Sequence, residues 1–408
     1  MKLPKCKKTK KSIEKYDMIM IVGEIMKRIV RTIWNLLYDM DKPLLVVTLV
    51  LFLFGTINIV TASSSEAVSY NVSLYYYFYK QMRILLAGIF VSIFIISIPS
   101  KKWEFPAILS FIGVTILLFL TLKTEANRGA QNWVFGIQPS EFAKPILIVC
   151  LSLLFDKFYK KLRTLGKNHY DLIGIILFVG LLFPMIVFLQ KDFGSMLILF
   201  SVFFVLFLSS PLLKIDKLKT FTFMIIVGLV GALAMYMGKG YILTEAQKAR
   251  FNFFDPCSRY ETGGYQICNS FIAISDGGLT GVGVGHSKQK YSYIPEAHTD
   301  SVFAIIVEEY GLLFVTPIFL AYVFIIKRIL NVSMNATTTR GRYMALGVAC
   351  YIFFHIFINL GGLFGVIPLT GVPLPFLSYG GSFGLSLLIS IAIVQRIHIE
   401  NKRTRIKI

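Results

Sequence analysis

Residues 171–210 read DLIGIILFVGLLFPMIVFLQKDFGSMLILFSVFFVLFLSS. Two apolar runs, 171–189 and 193–210, are separated only by Gln190, Lys191 and Asp192. A helix needs roughly 20 apolar residues to cross about 30 Å of hydrocarbon. The connector is too short for anything but a reversal at a bilayer edge, so two antiparallel spans are expected. Asp192 must then sit near that edge, where it caps the sixth span or serves a site.

Working outward, eight further runs have the same character: about 44–62, 82–99, 105–122, 142–157, 221–238, 302–326, 343–363 and 377–395. The composition agrees, with 55% hydrophobic and 16% charged residues and a mean hydropathy of +0.68. A soluble chain of 408 residues carries more charge than this. The expected fold is an all-α polytopic membrane protein with ten transmembrane helices.

Charge sets the expected orientation. With a cytoplasmic N-terminus, the inside segments hold 30 of the 42 Lys and Arg and 10 of the 22 Asp and Glu, a net charge of +20. The outside segments hold 12 of each sign. Basic residues mark cytoplasmic loops and attract anionic lipid headgroups. Both termini are therefore expected inside. The short basic loops carry no recognisable nucleic-acid module, which speaks against nucleic acid as a partner.

Three parts follow. Residues 1–43 form a basic tail with an amphipathic interfacial helix at 18–39. Residues 44–397 form the membrane domain, whose long outside loop spans 239–300. Residues 398–408 form a second basic tail. Residues 63–80 carry a Tyr and Phe cluster suited to a membrane interface. Cys150 and Cys350 fall in apolar runs, whereas Cys257 and Cys268 share the outside loop and form a disulfide if that compartment is oxidising.

Three polar clusters break the apolar pattern on the outside. One runs from Asn127 to Trp133 and continues as Gln138-Pro139-Ser140-Glu141-Phe142-Ala143-Lys144. Ser140 is a plausible N-cap there, and Glu141 and Lys144 share a helix face. The second is the Asp192 connector. The third, Gln247 to Gly311, gathers Arg250, Lys288, Lys290, Glu296, His298, Asp300, Glu308 and Glu309 around glycine-rich turns. Charge at a bilayer edge is costly, so such residues suggest a site.

Asp300 is an N-cap by default and otherwise a base partly desolvated at the membrane rim. Glu308 and Glu309 lie about 100° apart on a helix, so one can line a cavity while the other pairs. The run PLTGVPLPFLSYGGS (368–382) marks non-helical backbone lining a cavity, with Ser378, Tyr379 and Ser382 facing it.

The chemistry is bounded by exclusion. GGLTGVGVG (277–285) lacks the GK[ST] ending and strand context of a phosphate loop, so its glycines read as turns and no nucleotide is expected. No serine stands in a G-x-S-x-G elbow. What remains is carboxylates beside cations at the outer membrane face. Carboxylates act as general bases, and Arg and Lys bind phosphate oxygens. This suits a substrate with a lipid tail and a phosphate-linked head. A leaving pyrophosphate needs cations, supplied by Arg, Lys or a bound divalent metal such as Mg or Mn, with Asp300 as one ligand.

At these residues the chain resembles the SEDS family, which includes FtsW, RodA and SpoVE. The likeness rests on QPSEFAK (138–144), QKDFGS (190–195), GGYQICNSFIAISDGGLTGVGVGHSKQK (263–290), PEAHTDSVFAIIVEEYG (295–311) and GVPLPFLSYGGS (371–382), in that order. The resemblance implies a ten-span peptidoglycan glycosyltransferase that polymerises lipid II at the outer face of the bacterial cytoplasmic membrane. It implies a class B penicillin-binding protein and division or elongation proteins as partners.

Carried over by motif, Asp300 is the catalytic residue, and Glu141, Lys144, Asp192 and Arg250 are supporting residues. Lys191, His298, Glu308, Glu309 and Ser378 complete the candidate site. Lys144, Lys191 and Arg250 are the candidate pyrophosphate contacts. Lys191 and Phe193 stand where Pro and Leu are usual, Ser301 where Phe is usual, and Asn132 where a basic residue is common. TASSSEA (61–67), the aromatic loop before Lys80 and Gln81, and the PEAHTD segment lean towards the FtsW and SpoVE branch. A lipid-precursor flippase and a non-catalytic scaffold for a transpeptidase are the alternatives from other classes.

Overall fold

The computed structural model describes residues 34–123, 132–163, 169–239, 255–262, 264–291 and 297–406, with residues 31 and 294. The described residues hold ten long helices, one for each expected span. They are α1 (Lys42–Ala62), α2 (Tyr76–Ser97), α3 (Glu104–Thr121), α4 (Pro139–Lys157), α5 (His169–Leu189), α6 (Phe193–Ser209) and α7 (Lys214–Lys239), then α9 (Val302–Met334), α10 (Thr339–Leu363) and α11 (Gly381–Ile406). An eleventh helix, α8 (Tyr265–Gly277), lies within the long loop. Seven of the long helices are apolar and long enough to cross a bilayer. α4 carries buried charge, and α6 has 17 residues.

Burial orders the bundle. In α11 83% of the most apolar window is buried, in α10 61%, and in α2 and α3 only 22%. α10 and α11 therefore occupy the interior, with α10 packed on α4, α6, α9 and α11, while α2 and α3 present apolar faces outward. α11 runs through residues 398–406, so the segment set apart as a basic tail continues the last helix. Of the interfacial helix expected at 18–39, residues 34–39 are described and helical, and the rest lies outside the described residues.

The first and last described segments of the chain meet at one end of the bundle. There Arg328 pairs with Asp41 (2.8 Å), Arg340 with Asp156 (3.0 Å), and Lys402 and Arg403 with Asp39 (3.0 and 2.9 Å). The opposite end carries the long loop, the Asp192 connector and the rim segment between α10 and α11.

Candidate functional site

α9 is broken at its tenth residue. Gly311 has φ 77° and ψ 166°, outside any helix. A break at membrane depth orphans carbonyls and amides that water cannot reach. The glycine-rich segment of the long loop supplies partners. Val282 and Gly283 donate backbone N–H to the carbonyls of Glu308 and Glu309 (2.9 and 3.0 Å). Leu312 and Leu313 donate to the carbonyls of Gly278 and Leu279 (3.0 and 3.1 Å). The approach is close enough that a Cβ on Gly281, at φ +80°, would lie 2.4 Å from the Glu309 carbonyl oxygen. These glycines do form turns, as their sequence suggests, and they also splice a broken helix.

The same loop takes up both acids of α9. Glu308 accepts from Ser287 Oγ (2.5 Å) and from the Lys288 N–H (2.7 Å). Glu309 pairs with Lys290 Nζ at 2.9 Å. Both are buried. The expectation that one lines a cavity is thus corrected: each anchors the loop, because a buried carboxylate needs donors and residues 287–290 provide them.

Asp300 stands at the junction where the loop enters α9. Three successive carbonyls are clamped there. The His298 carbonyl accepts from the Tyr379 N–H (2.9 Å), that of Thr299 from Ser378 Oγ (2.5 Å), and that of Asp300 from Asn359 Nδ2 (2.7 Å). The clamp is itself braced. Asn359 Nδ2 also donates to the Val372 carbonyl (2.7 Å), and Ser378 Oγ accepts from the Leu374 N–H (2.7 Å). Ser378 therefore fixes backbone rather than facing a cavity.

The Asp300 side chain is 8% exposed. Gln266 of α8 presents Nε2 at 3.3 and 3.4 Å from its two oxygens, and Thr299 Oγ1 lies at 3.4 Å. The N-cap of α9 is Ser301, with no capping side-chain bond, so the capping role considered for Asp300 is excluded. The Gln266 amide and the Thr299 hydroxyl thus border the carboxylate. A carboxylate at such a point can take a proton from a substrate hydroxyl.

His298 is buried with Nδ1 2.9 Å from Glu66 Oε2, and the rings of Tyr77 and Tyr379 lie 4.9 and 5.3 Å away. It immobilises the junction from the side of α1 and α2.

The Asp192 connector reaches the same rim. Asp192 caps α6 through the Ser195 N–H (3.0 Å) and also accepts from Asn132 Nδ2 and Gln138 Nε2 (both 3.2 Å). Gly194 packs so closely that a Cβ there would lie 2.5 Å from Val372 Cγ2, and a Cβ on Gly371 would lie 3.7 Å from Asp300 Oδ2. The chain thus runs from Asp192 through residues 370–372 to Asp300. Lys191 is exposed at the connector tip, in the left-handed region at φ +63°.

α4 opens on Gln138, with Pro139 in its first turn, and Ser140 lies inside the helix. The expectation of a Ser140 cap is corrected: proline's fixed φ and missing N–H suit the first helical position. Glu141 and Lys144 pair at 2.6 Å and are each 1% exposed. Lys144 Nζ also lies 3.1 Å from His355 Nε2, whose Nδ1 sits 3.2 Å from the Pro373 carbonyl. The proton on Nδ1 then leaves Nε2 to accept from Lys144. This charge is consumed inside the bundle, where it ties α4 to α10 and the rim.

Arg250 and Glu296 lie outside the described residues. Cys257 and Cys268 form a disulfide that joins α8 to the segment before it. Among the described residues no three metal-ligating side chains cluster.

Sequence reasoning missed Glu66, Gln266, His355 and Asn359. For two of them a signal existed. His355 and Asn359 are polar residues four apart in an apolar run, and Tyr351 extends the stripe, which is the pattern of a helix face turned to a polar interior. Glu66 and Gln266 join the site only through tertiary contact.

Comparison with known proteins follows the same boundaries. The FtsW/RodA/SpoVE family, described as cell cycle proteins, matches residues 42–403. A probable peptidoglycan glycosyltransferase FtsW of Bacillus subtilis is 32% identical over 389 residues, covering 91% of this chain and 94% of the relative. Stage V sporulation protein E of the same organism is 30% identical, covering 87% and 95%. Among solved structures, a chain from work on the structural coordination of polymerization and crosslinking by a peptidoglycan synthase complex superposes with a TM-score of 0.67 at 21% identity, covering 89% of this chain and 98% of that one. The rod shape determining protein RodA of Thermus thermophilus gives 0.61 at 21% identity, covering 88% and 96%.

Proposed function

The chain belongs to the FtsW/RodA/SpoVE family, and from that membership we propose that Asp300 is the general base of its glycan polymerisation. The protein is a multi-pass protein of the bacterial cytoplasmic membrane and a peptidoglycan glycosyltransferase. Its substrate in this reading is lipid II. The lipid tail stays in the bilayer and the disaccharide head reaches the loop end.

In the reaction, the acceptor 4-hydroxyl attacks the anomeric carbon of the donor. Asp300 takes the hydroxyl proton as the new C–O bond forms. The bond from the anomeric carbon to the pyrophosphate oxygen breaks, with inversion. The leaving group's charge is balanced by cations at the rim, for which exposed Lys191 and Arg250 are the candidates. Lys144, buried and already paired with Glu141, organises the helices beneath them. No step is routed through a divalent cation.

The observation that carries this reading is the clamp on the three successive carbonyls of residues 298–300, which fixes Asp300 where the loop enters α9. Catalytic groups need such rigid backbone support. The partner is a class B penicillin-binding protein that cross-links the strands. The related complex joins polymerization and crosslinking, which supports it. The relatives named FtsW, with the TASSSEA and PEAHTD segments, favour a role in division.

The test is polymerisation of purified lipid II by the chain with its partner. Asp300→Ala is expected to abolish glycan while leaving the protein folded. Wild-type rates in that variant would overturn the assignment.

A further inference from the structure

The bundle end that carries the termini holds a hollow of about 520 Å³ between three interhelical connections. Arg163 follows α4, Lys214 opens α7, and Arg342 lies in the first turn of α10. Thr339 and Tyr343 complete the polar wall, and Leu212 and Leu213 the apolar one. Among the described residues no carboxylate lines it.

Several basic residues elsewhere on this face are matched within the fold. Arg328, Arg340, Arg396, Lys402 and Arg403 each pair with an acid. Among the described residues Lys214 and Arg342 have no acidic partner, and Arg163 bonds the neutral Tyr159 hydroxyl at 3.0 Å. The guanidiniums of Arg163 and Arg342 both lie within electrostatic reach of the Tyr343 hydroxyl. Three cations from separate connections thus converge on one space without an internal counter-charge.

The tendency of basic residues to collect on one membrane face accounts for their sign. It requires neither a hollow nor the absence of acids. We propose that this hollow binds the phosphate-bearing headgroup of an anionic phospholipid. Its volume falls in the range of small-molecule sites, about 300–1,000 Å³, and exceeds what a bare phosphate fills. On the first turns of α7, next to Lys214, Ile215 and Leu218 are exposed, which suits acyl chains running from a headgroup held by Lys214. Basic pockets between membrane helices hold such headgroups through charge and hydrogen bonds. The site lies at the opposite end from Asp300, so it stands whether or not the polymerase reading does.

The test uses the full chain in zwitterionic phosphatidylcholine micelles titrated with phosphatidylglycerol. Bound lipid is counted by native mass spectrometry. Lys214→Gln with Arg342→Gln is compared with Lys101→Gln with Lys102→Gln, which removes the same charge from exposed positions outside the hollow. Both double variants must keep the wild-type unfolding temperature. The first pair is expected to weaken retention of the tightest lipid about 30-fold, the weight of two basic side chains at a lipid surface, and the second less than about threefold. Equal loss in both pairs would reduce the effect to general surface charge and overturn the proposal. Displacement of the lipid by millimolar inorganic phosphate would overturn the lipid as occupant.

Discussion

The two ends of this bundle are held by different forces. At the termini end, helix ends are joined by ion pairs whose partners are partly exposed, such as Arg340 with Asp156. At the loop end, backbone carbonyls meet buried amides and hydroxyls, and the charges are sealed, as in Lys290 with Glu309 and Lys144 with Glu141. Exposed pairs contribute little and tolerate change. Buried, directional contacts define one geometry and fail sharply. The loop end spends its precision on the Thr299–Asp300 backbone, where the chemistry is placed.

The sharpest way to break that contrast is at the splice across α9. Gly281→Val forces a β-branched residue to φ +80° and pushes its Cβ into the Glu309 carbonyl. The expected result is loss of folded, monodisperse protein, read by yield and thermal unfolding, because strain and steric overlap together exceed about 3 kcal/mol. A stable, active variant would mean the splice is dispensable.

Next in size is the buried pair. Lys290→Met leaves Glu309 without its counter-charge and is expected to cost about 3–5 kcal/mol, while Lys290→Met with Glu309→Met recovers most of it. Thermal unfolding of the three proteins in one detergent checks this. Equal loss in single and double variants would contradict the pairing.

Asn359→Ala removes the bonds to the Asp300 and Val372 carbonyls. Their loss is worth about 1–3 kcal/mol, so polymerisation should slow about 10- to 100-fold. The slowing should appear in kcat more than in KM, since the residue positions the base and does not touch the substrate.

The termini end should respond least. Arg403→Ala, which removes the half-exposed partner of Asp39, is expected to cost under about 1 kcal/mol and less at high salt. Asp39 sharpens the point through pH. Burial alone would raise its carboxyl, but the hydrogen bonds and charges of Lys402 and Arg403 outweigh that and hold it below its ordinary value. Its contribution is therefore present above the ordinary carboxylate value of about 4 and is lost as pH falls through the lowered one. Asp39→Asn should erase this small acid-side dependence of the unfolding temperature.

The fold was legible because a bilayer imposes a length and a composition on each crossing. Ten apolar runs predicted ten helices, and the Asp192 connector predicted a tight reversal. The break at Gly311 was not legible, since a glycine inside an apolar run looks like any packing glycine until the loop segment lies against it. Asp300 was visible through its motif, but its surroundings were not. Gln266 is 34 residues away, Asn359 is 59 residues away, and Ser378 is 79 residues from Thr299, so no local pattern links them. Roles assigned by charge alone went furthest astray. One of Glu308 and Glu309 was expected at a cavity and Lys144 at the pyrophosphate, because charge in a membrane suggests function; Glu309 and Lys144 instead form buried ion pairs, and Glu308 is held by Ser287 and the Lys288 N–H.

The central claim is that a rigid frame holds one carboxylate for proton removal. Asp300→Asn tests it most directly, since the isosteric amide keeps the clamped backbone and removes the base. With the partner present and the unfolding temperature unchanged, the account predicts no glycan product from lipid II across the pH range in which the wild-type enzyme polymerises. Polymerisation at the wild-type rate would contradict it.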